Sequence, residues 1–110
     1  MQLPHAQRAI VDKRKIVDYL LNSAHPDGAG KAEFFTRFGF APERWAVFAE
    51  ALKRHGQSGS VTNTVESPYG TRYIIDGPLE RPSGRWPAIR TVWMIESKTL
   101  PPRLITAHPL

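Results

Sequence analysis

Thr106 and His108, near the C-terminus, have the types and spacing that acid–base chemistry on a phosphate requires. They lie two residues apart in a predicted strand over residues 103–108, and this spacing places both on one strand face. A histidine titrates near neutral pH and can give or take a proton, and a threonine hydroxyl can bond a phosphoryl oxygen. The alternative is an ordinary edge strand with a polar face.

A second group of polar residues begins at His25 and ends at Lys31. Lys31 falls in the first turn of a predicted helix, where the helix dipole disfavours a cation but the free backbone amides attract an anion. A phosphate at this position would account for the lysine. The alternative is a solvated lysine beside a loop rich in proline and glycine.

A third group is the strand segment that runs from Arg90 through Thr91 to Trp93. The arginine can bind a phosphate with two parallel hydrogen bonds, and the indole ring can stack on a base. Alternatively, Trp93 belongs to the core and Arg90 points to solvent from the other strand face. Trp86, in a predicted turn, is either an exposed stacking residue or a lid over the core.

Several familiar kinds of active site are missing from the sequence. There is no cysteine, no Walker-type phosphate loop, no His-Glu-x-x-His, no Gly-x-Ser-x-Gly and no cluster of carboxylates. The four histidines are far apart in sequence, so no metal site is predicted. Acid–base chemistry without a metal or another cofactor is the simplest enzymatic chemistry that the sequence allows.

Length and charge define the class of protein. We expect 110 residues to form a single domain, residues 1–110. The net charge of +5 and the pI of about 10.0 favour a polyanionic partner such as nucleic acid. No run of residues has the length or apolar character of a membrane anchor.

The hydrophobic periodicity changes once along the chain. Residues 1–59 form a helical half, and its apolar spacing predicts three helices, over residues 13–21, over 29–38, and from Pro42 to near His55. Residues 60–110 form a strand half, with predicted strands over residues 60–66, 71–79, 89–97 and 103–108. The short turns between strands predict an antiparallel meander. The expected fold is α+β, with three N-terminal helices on one face of a four-stranded sheet.

This layout leaves one face of the sheet uncovered, and that face is the predicted site. Strict alternation along each strand implies that its polar residues do not all lie on the same face. The strand residues that could contribute to it are Arg72, Arg90, Arg103, Thr106 and His108.

Nearly the whole chain resembles a bacterial family of small uncharacterised domains that occur alone or at the C-termini of secreted effectors. The matching segments are DYLLN, HPDGAGKAEFF, SPYGTRYIIDGPLERPSGR, IRTVW and PRLITAHP. Its layout is similar to the barnase–EndoU–colicin–RelE group of ribonuclease toxins. The resemblance points to Lys31, Arg90, Thr91, Thr106 and His25 as site residues, and the implied catalytic set is Lys31, Arg90, Thr106 and His25 together with His108. His108 stands where relatives have tyrosine, so it has either an acid–base or a substrate-orienting role.

The resemblance also implies a function, a metal-independent endoribonuclease toxin that attacks RNA, such as tRNA, through the ribose 2′-OH. Its implied nucleic-acid contacts are Arg72, Thr91, Trp93, Trp86 and Arg103. The implied partners are the RNA substrate and an acidic immunity protein or antitoxin. The implied site of action is the cytoplasm, reached in some cases as the C-terminal domain of a secreted effector.

Two other functions are compatible with the same residues. A non-catalytic module could bind RNA or DNA through its basic side chains, with an affinity that falls steeply with salt. A protein-interaction domain could bind an acidic partner through the open sheet face, or by strand addition at residues 103–108.

Overall fold

The helices of the computed structural model, which describes residues 1–110, lie close to their predicted positions. Helix α1 begins after Asp12, whose carboxylate accepts a hydrogen bond from the Arg14 N–H at 2.9 Å. It consists of one α-helical turn, Lys13–Lys15, and one π-helical turn, Ile16–Leu20. Helix α2 covers Ala29–Arg37.

Helix α3 is the longest helix and leads directly into the sheet. A 3₁₀ turn over Pro42–Arg44 precedes it, and the helix covers Trp45–Ser58. Its buried face includes Phe48 and Leu52, which are four residues apart and so lie on the same side.

The four strands form one antiparallel sheet in the order β1-β2-β3-β4, as the short turns predict. Their bounds are Ser60–Ser67 for β1, Gly70–Pro78 for β2, Ala88–Ile95 for β3 and Arg103–Pro109 for β4. The α+β class with three helices and four strands is confirmed.

The expected layer of three helices on one sheet face is wrong. Only α3 packs across the sheet, where it contacts β2 and β3. Helices α1 and α2 instead reach the sheet at its β4 edge. Both are short, and the loop of residues 22–28 folds them against each other, so they wrap around the edge and do not extend the layer.

Trp93 and Thr91 lie in the core, which corrects their prediction as nucleic-acid contacts. Both side chains are fully buried because they alternate onto the β3 face that α3 covers. The Trp93 Nε1–H donates to Thr91 Oγ1 at 2.8 Å, and Thr91 Oγ1 lies 2.9 Å from His55 Nδ1. His55 Nε2 lies 3.1 Å from the Gly77 carbonyl oxygen and must donate to it, so Nδ1 accepts from Thr91. Burial lowers the pKa of His55 and keeps this ring neutral.

The close packing of Trp93 on α3 gives a stability prediction. A methyl group at Gly56 would lie 2.7 Å from Trp93 Cζ2. We therefore expect Gly56→Ala to lower the free energy of unfolding by about 1–3 kcal/mol. Gly30→Ala in α2 is the control, since nothing lies within 4 Å there, and it should raise that free energy by about 0.5–1 kcal/mol. Urea titrations measure both, and equal effects of the two substitutions would contradict this packing.

The N-terminal residues cover the β4 edge of the sheet. The Ile10 N–H donates to the Pro102 carbonyl at 2.9 Å, and Ile10 O accepts from the Leu104 N–H at 2.9 Å. Helix α1 then continues beside β4. This bridge from Ile10 occupies the outer edge of β4 at Arg103 and Leu104, so strand addition along residues 103–108 would have to displace the N-terminal residues there.

The uncovered sheet face carries all five polar strand residues that were candidates for it, Arg72, Arg90, Arg103, Thr106 and His108. The expectation that they would divide between the two faces is wrong. Cross-strand partners share a face, and the pairs are Arg72 with Met94, Met94 with Arg103, Val92 with Thr106, and Arg90 with His108. The register shifts between β3 and β4 next to Ile105. This bulge restores Arg103 to the same side as Thr106.

Candidate functional site

Three polar side chains meet at the β4 edge. The Tyr19 hydroxyl lies 3.0 Å from Thr106 Oγ1, and Lys31 Nζ donates a hydrogen bond to the same hydroxyl. Lys31 Nζ also lies 4.7 Å from the centroid of the Tyr19 ring. Elements far apart in sequence, α1, α2 and β4, thus place a phenol, an ammonium group and a hydroxyl within bonding distance.

Local backbone structure brings these groups together. Tyr19 lies in the π-helical turn of α1. Such turns are rare in proteins, and those that occur are often found at functional sites. Gly28, immediately before α2, lies against the Tyr19 backbone, where a Cβ would collide with the Tyr19 carbonyl oxygen. This close approach needs a glycine, and it places Lys31, in the first turn of α2, beside the Tyr19 hydroxyl.

The pKa of Tyr19 lies below its ordinary value. Partial burial acts to raise the pKa, but hydrogen bonds from Lys31 and Thr106 and the charges of Lys31 and Lys15 outweigh it. Lys15 Nζ lies 5.6 Å from the centroid of the ring. The phenolate form is therefore more accessible than in an ordinary tyrosine, whose pKa is about 10.

An alkaline titration tests this ionisation. We expect the ultraviolet difference between wild type and Tyr19→Phe to show one phenol ionising below pH about 10. In the Lys31→Met background that ionisation should move to higher pH, because the phenolate loses its nearest cation. An unchanged midpoint in the Lys31→Met background would contradict the coupling between the two groups.

Tyr19 and Thr106 line a surface cleft of about 790 Å³, which we call the Tyr19 cleft. His25 belongs to its wall, and its ring centroid lies 4.9 Å from that of Tyr19. The Asp27 N–H donates to His25 Nδ1 at 2.9 Å, so a neutral His25 carries its proton on Nε2. Side chains of both charge signs complete the wall, namely Arg14, Lys15, Arg103, Asp12, Asp18 and Asp27. The cleft is thus not a uniformly basic groove, and its positive charge is concentrated around Tyr19.

Arg90 and His108 lie outside this cleft, on the uncovered sheet face. Arg90 donates to both oxygens of Asp76, from Nε at 2.7 Å and from Nη2 at 2.9 Å. This pairing lowers the pKa of Asp76 and raises that of Arg90. His108 is the cross-strand neighbour of Arg90, and its Nδ1 lies 3.2 Å from the Pro109 carbonyl oxygen. Since two residues of strand advance about 6.6 Å, His108 lies about that far along β4 from Thr106.

The other predicted contact residues lie at separate places. Arg72 is exposed in β2 and faces the same side as Arg90. Trp86 is 51% exposed, in the loop between β2 and β3. Arg103 lines the Tyr19 cleft, and its Nε donates to Glu96 Oε1 at 2.7 Å.

Tyr19 is the site residue that sequence reasoning missed. It lies inside the apolar pattern of the first helix, next to Leu20, and so passes for a core residue. The signal that could have pointed to it was the short polar loop of residues 22–28, which can fold the next helix, with Lys31 in its first turn, back against the helix that carries Tyr19.

Metal-binding clusters and membrane-spanning helices are both absent from the structure. No three His, Asp or Glu side chains lie together in an arrangement that could hold a metal ion. None of the helices is both long enough and apolar enough to cross a membrane.

Comparisons with known proteins identify a family and a similar solved structure. The model of a domain of unknown function, DUF6883, matches residues 2–110. One chain of a solved contact-dependent growth inhibition toxin–immunity protein complex from Klebsiella pneumoniae 342 is similar in fold, with a TM-score of 0.73 and 23% sequence identity over 97% of each chain. A search of curated proteins finds no match.

Proposed function

The chain belongs to the DUF6883 family of domains of unknown function, and we propose that it acts as a metal-independent endoribonuclease toxin in a bacterial toxin–immunity system. The observation that carries this proposal is the Tyr19 hydroxyl, bonded by Lys31 and Thr106 beside His25 at an open cleft. Phenol, imidazole and ammonium groups supply acid–base and electrostatic catalysis by side chains alone.

The proposed reaction begins at the ribose 2′-OH of RNA. The Tyr19 phenolate removes the proton of that hydroxyl, and the oxygen attacks the adjacent phosphorus. The bond from phosphorus to the 5′-oxygen then breaks, and the leaving oxygen takes the proton from the Tyr19 hydroxyl while the neutral His25 ring donates a hydrogen bond to it from Nε2. The products are a 2′,3′-cyclic phosphate and a free 5′-hydroxyl, and no co-reactant is needed.

Lys31 and Thr106 stabilise the charge that develops at phosphorus. An ammonium group has three donors, so Lys31 can bond both the Tyr19 oxygen and a non-bridging phosphate oxygen. Thr106, fixed in β4, supplies a second donor to the phosphate once the phenolate has taken up its proton. Preorganised donors of this kind typically lower the activation free energy by several kcal/mol.

The uncovered sheet face provides the contacts for the flanking RNA. Arg72, Arg103 and His108 offer cations or donors on that face, and Arg90 retains Nη1 after binding Asp76. Trp86 is exposed enough to stack on a base, whereas Thr91 and Trp93 are excluded by their burial. We assign the fold to the barnase–EndoU–colicin–RelE group as part of this proposal.

Two observations support a role as a toxin, namely the positive net charge of the chain and the similar solved structure. With a net charge of +5, this chain is suited to act on RNA, and an acidic immunity protein would be electrostatically complementary to it. The similar chain comes from a toxin–immunity complex. The proposal places the action in the cytoplasm, with delivery as the C-terminal domain of an effector as one route.

Controlled expression in bacteria tests the toxin role. We expect the wild-type chain to fragment cellular RNA, including tRNA, before growth stops, and Lys31→Met to do neither. Growth arrest with intact RNA would overturn the ribonuclease activity. Normal growth with intact RNA would overturn the whole proposal, and salt-sensitive RNA binding in that case would identify a non-catalytic module.

A further inference from the structure

A small pocket, which we call the Met94 pocket, lies on the uncovered sheet face next to the Tyr19 cleft. Its volume is about 150 Å³, and its walls are Ile10, Met94, Glu96, Leu100, Pro101 and Arg103. Ile10 and Arg103 also line the Tyr19 cleft, so the two depressions adjoin. A ligand bound in one can therefore extend into the other.

The size and apolar walls of the Met94 pocket suit a single flat heterocycle. Drug-sized ligands occupy pockets of about 300–1,000 Å³, so this pocket holds a smaller group. Met94 is 5% exposed and forms the floor, while Ile10 and Leu100 are 48% and 45% exposed. An aromatic ring would cover this exposed apolar surface.

The polar part of the pocket is one carboxylate held by one guanidinium group. Arg103 Nε donates to Glu96 Oε1 at 2.7 Å and fixes the orientation of the carboxylate. Glu96 Oε2 has no such bond, and a carboxylate has about four lone-pair sites. The pocket therefore offers acceptors to a ring with hydrogen-bond donors on its edge.

We propose that the Met94 pocket binds a guanine base of the RNA and so determines which nucleotide lies at the Tyr19 cleft. Guanine presents two adjacent donors, N1–H and the N2 amino group, to one carboxylate. Adenine and cytosine each present a single amino donor, and uracil presents a single ring N–H. A site built to bond a pair of donors discriminates strongly against ligands that lack one of them, because its acceptors are left unpaired. This inference rests on the proposed function, since it specifies the substrate of that site.

The binding of single nucleotides tests the pocket without requiring cleavage. We expect 3′-GMP to shift the NMR methyl signals of Ile10, Met94 and Leu100 and to bind at least tenfold more tightly than 3′-AMP, 3′-CMP or 3′-UMP. Glu96→Gln should remove that preference, because the amide replaces one acceptor with a donor. Glu50→Gln is the matched control, since Glu50 pairs with Lys53 on the surface of α3, and it should leave the preference unchanged.

Two results would overturn the guanine pocket. Equal affinity for the four nucleotides is one, and methyl shifts confined to residues outside the pocket are the other. These results are separate from a failure of the proposed function. If the chain binds 3′-GMP selectively but leaves RNA intact, the ribonuclease proposal is refuted and the guanine pocket is retained. If it cleaves RNA without base preference, the guanine pocket is refuted and the ribonuclease proposal is retained.

Discussion

Replacement of Tyr19 by phenylalanine should lower the rate of RNA cleavage by about 10²–10⁴-fold, the contribution typical of a positioned acid or base. The substitution removes one oxygen atom and leaves the ring that packs beside His25 and Lys31 in place. We therefore expect the far-ultraviolet circular dichroism and the midpoint of urea unfolding to change little. Single-turnover cleavage of a labelled RNA measures the effect.

Tyr69→Phe is the matched control for this substitution. Tyr69 is 79% exposed in the turn between β1 and β2, away from the Tyr19 cleft. The control should cleave RNA at the wild-type rate. A Tyr19→Phe protein that cleaves as fast as this control would remove Tyr19 from the proposed mechanism.

Replacement of Lys31 by methionine should lower the cleavage rate by about 10²–10³-fold, as expected when one charge-stabilising donor is lost. It should also change the pH dependence. Lys31 lowers the pKa of Tyr19, so its removal raises that pKa. A reaction that needs the phenolate speeds up as the pH rises through the Tyr19 pKa, and this rise should therefore move to higher pH in Lys31→Met.

The pH dependence separates a role through Tyr19 from simple phosphate binding. If Lys31 acted only by holding the phosphate, its removal would lower the rate equally at every pH. Lys53→Met is the control, since Lys53 pairs with Glu50 on the surface of α3. It should change neither the rate nor the pH profile.

Local sequence patterns were sufficient to predict the helices and strands. The spacing of Trp45, Phe48 and Leu52 defines one face of α3, and the alternation of Ile89, Thr91 and Trp93 defines the core face of β3. These patterns depend only on neighbours along the chain. The antiparallel order follows from the short turns between the strands.

The site itself was only partly predictable, because it depends on contacts between distant segments. Thr106, Lys31 and His25 have polar types that stand out in their segments, and the structure brings all three to Tyr19. From its sequence position Tyr19 is indistinguishable from a core residue. Its role depends on the close approach of α2, which Gly28 permits.

Strand faces could not be assigned from local pattern alone. The bulge beside Ile105 changes which residues of β4 share a face, and no residue type marks it in advance. Thr91 and Trp93 were misassigned to the nucleic-acid surface because a polar or aromatic residue in a strand is equally compatible with a buried hydrogen-bond network.

Incubation of the purified chain with total RNA and isolated tRNA in excess EDTA tests for a metal-independent ribonuclease. We expect discrete fragments that end in 2′,3′-cyclic phosphates and 5′-hydroxyls with the wild type, and none with Tyr19→Phe or Lys31→Met. Intact RNA in every reaction, or fragments produced equally by wild type and both variants, would contradict it.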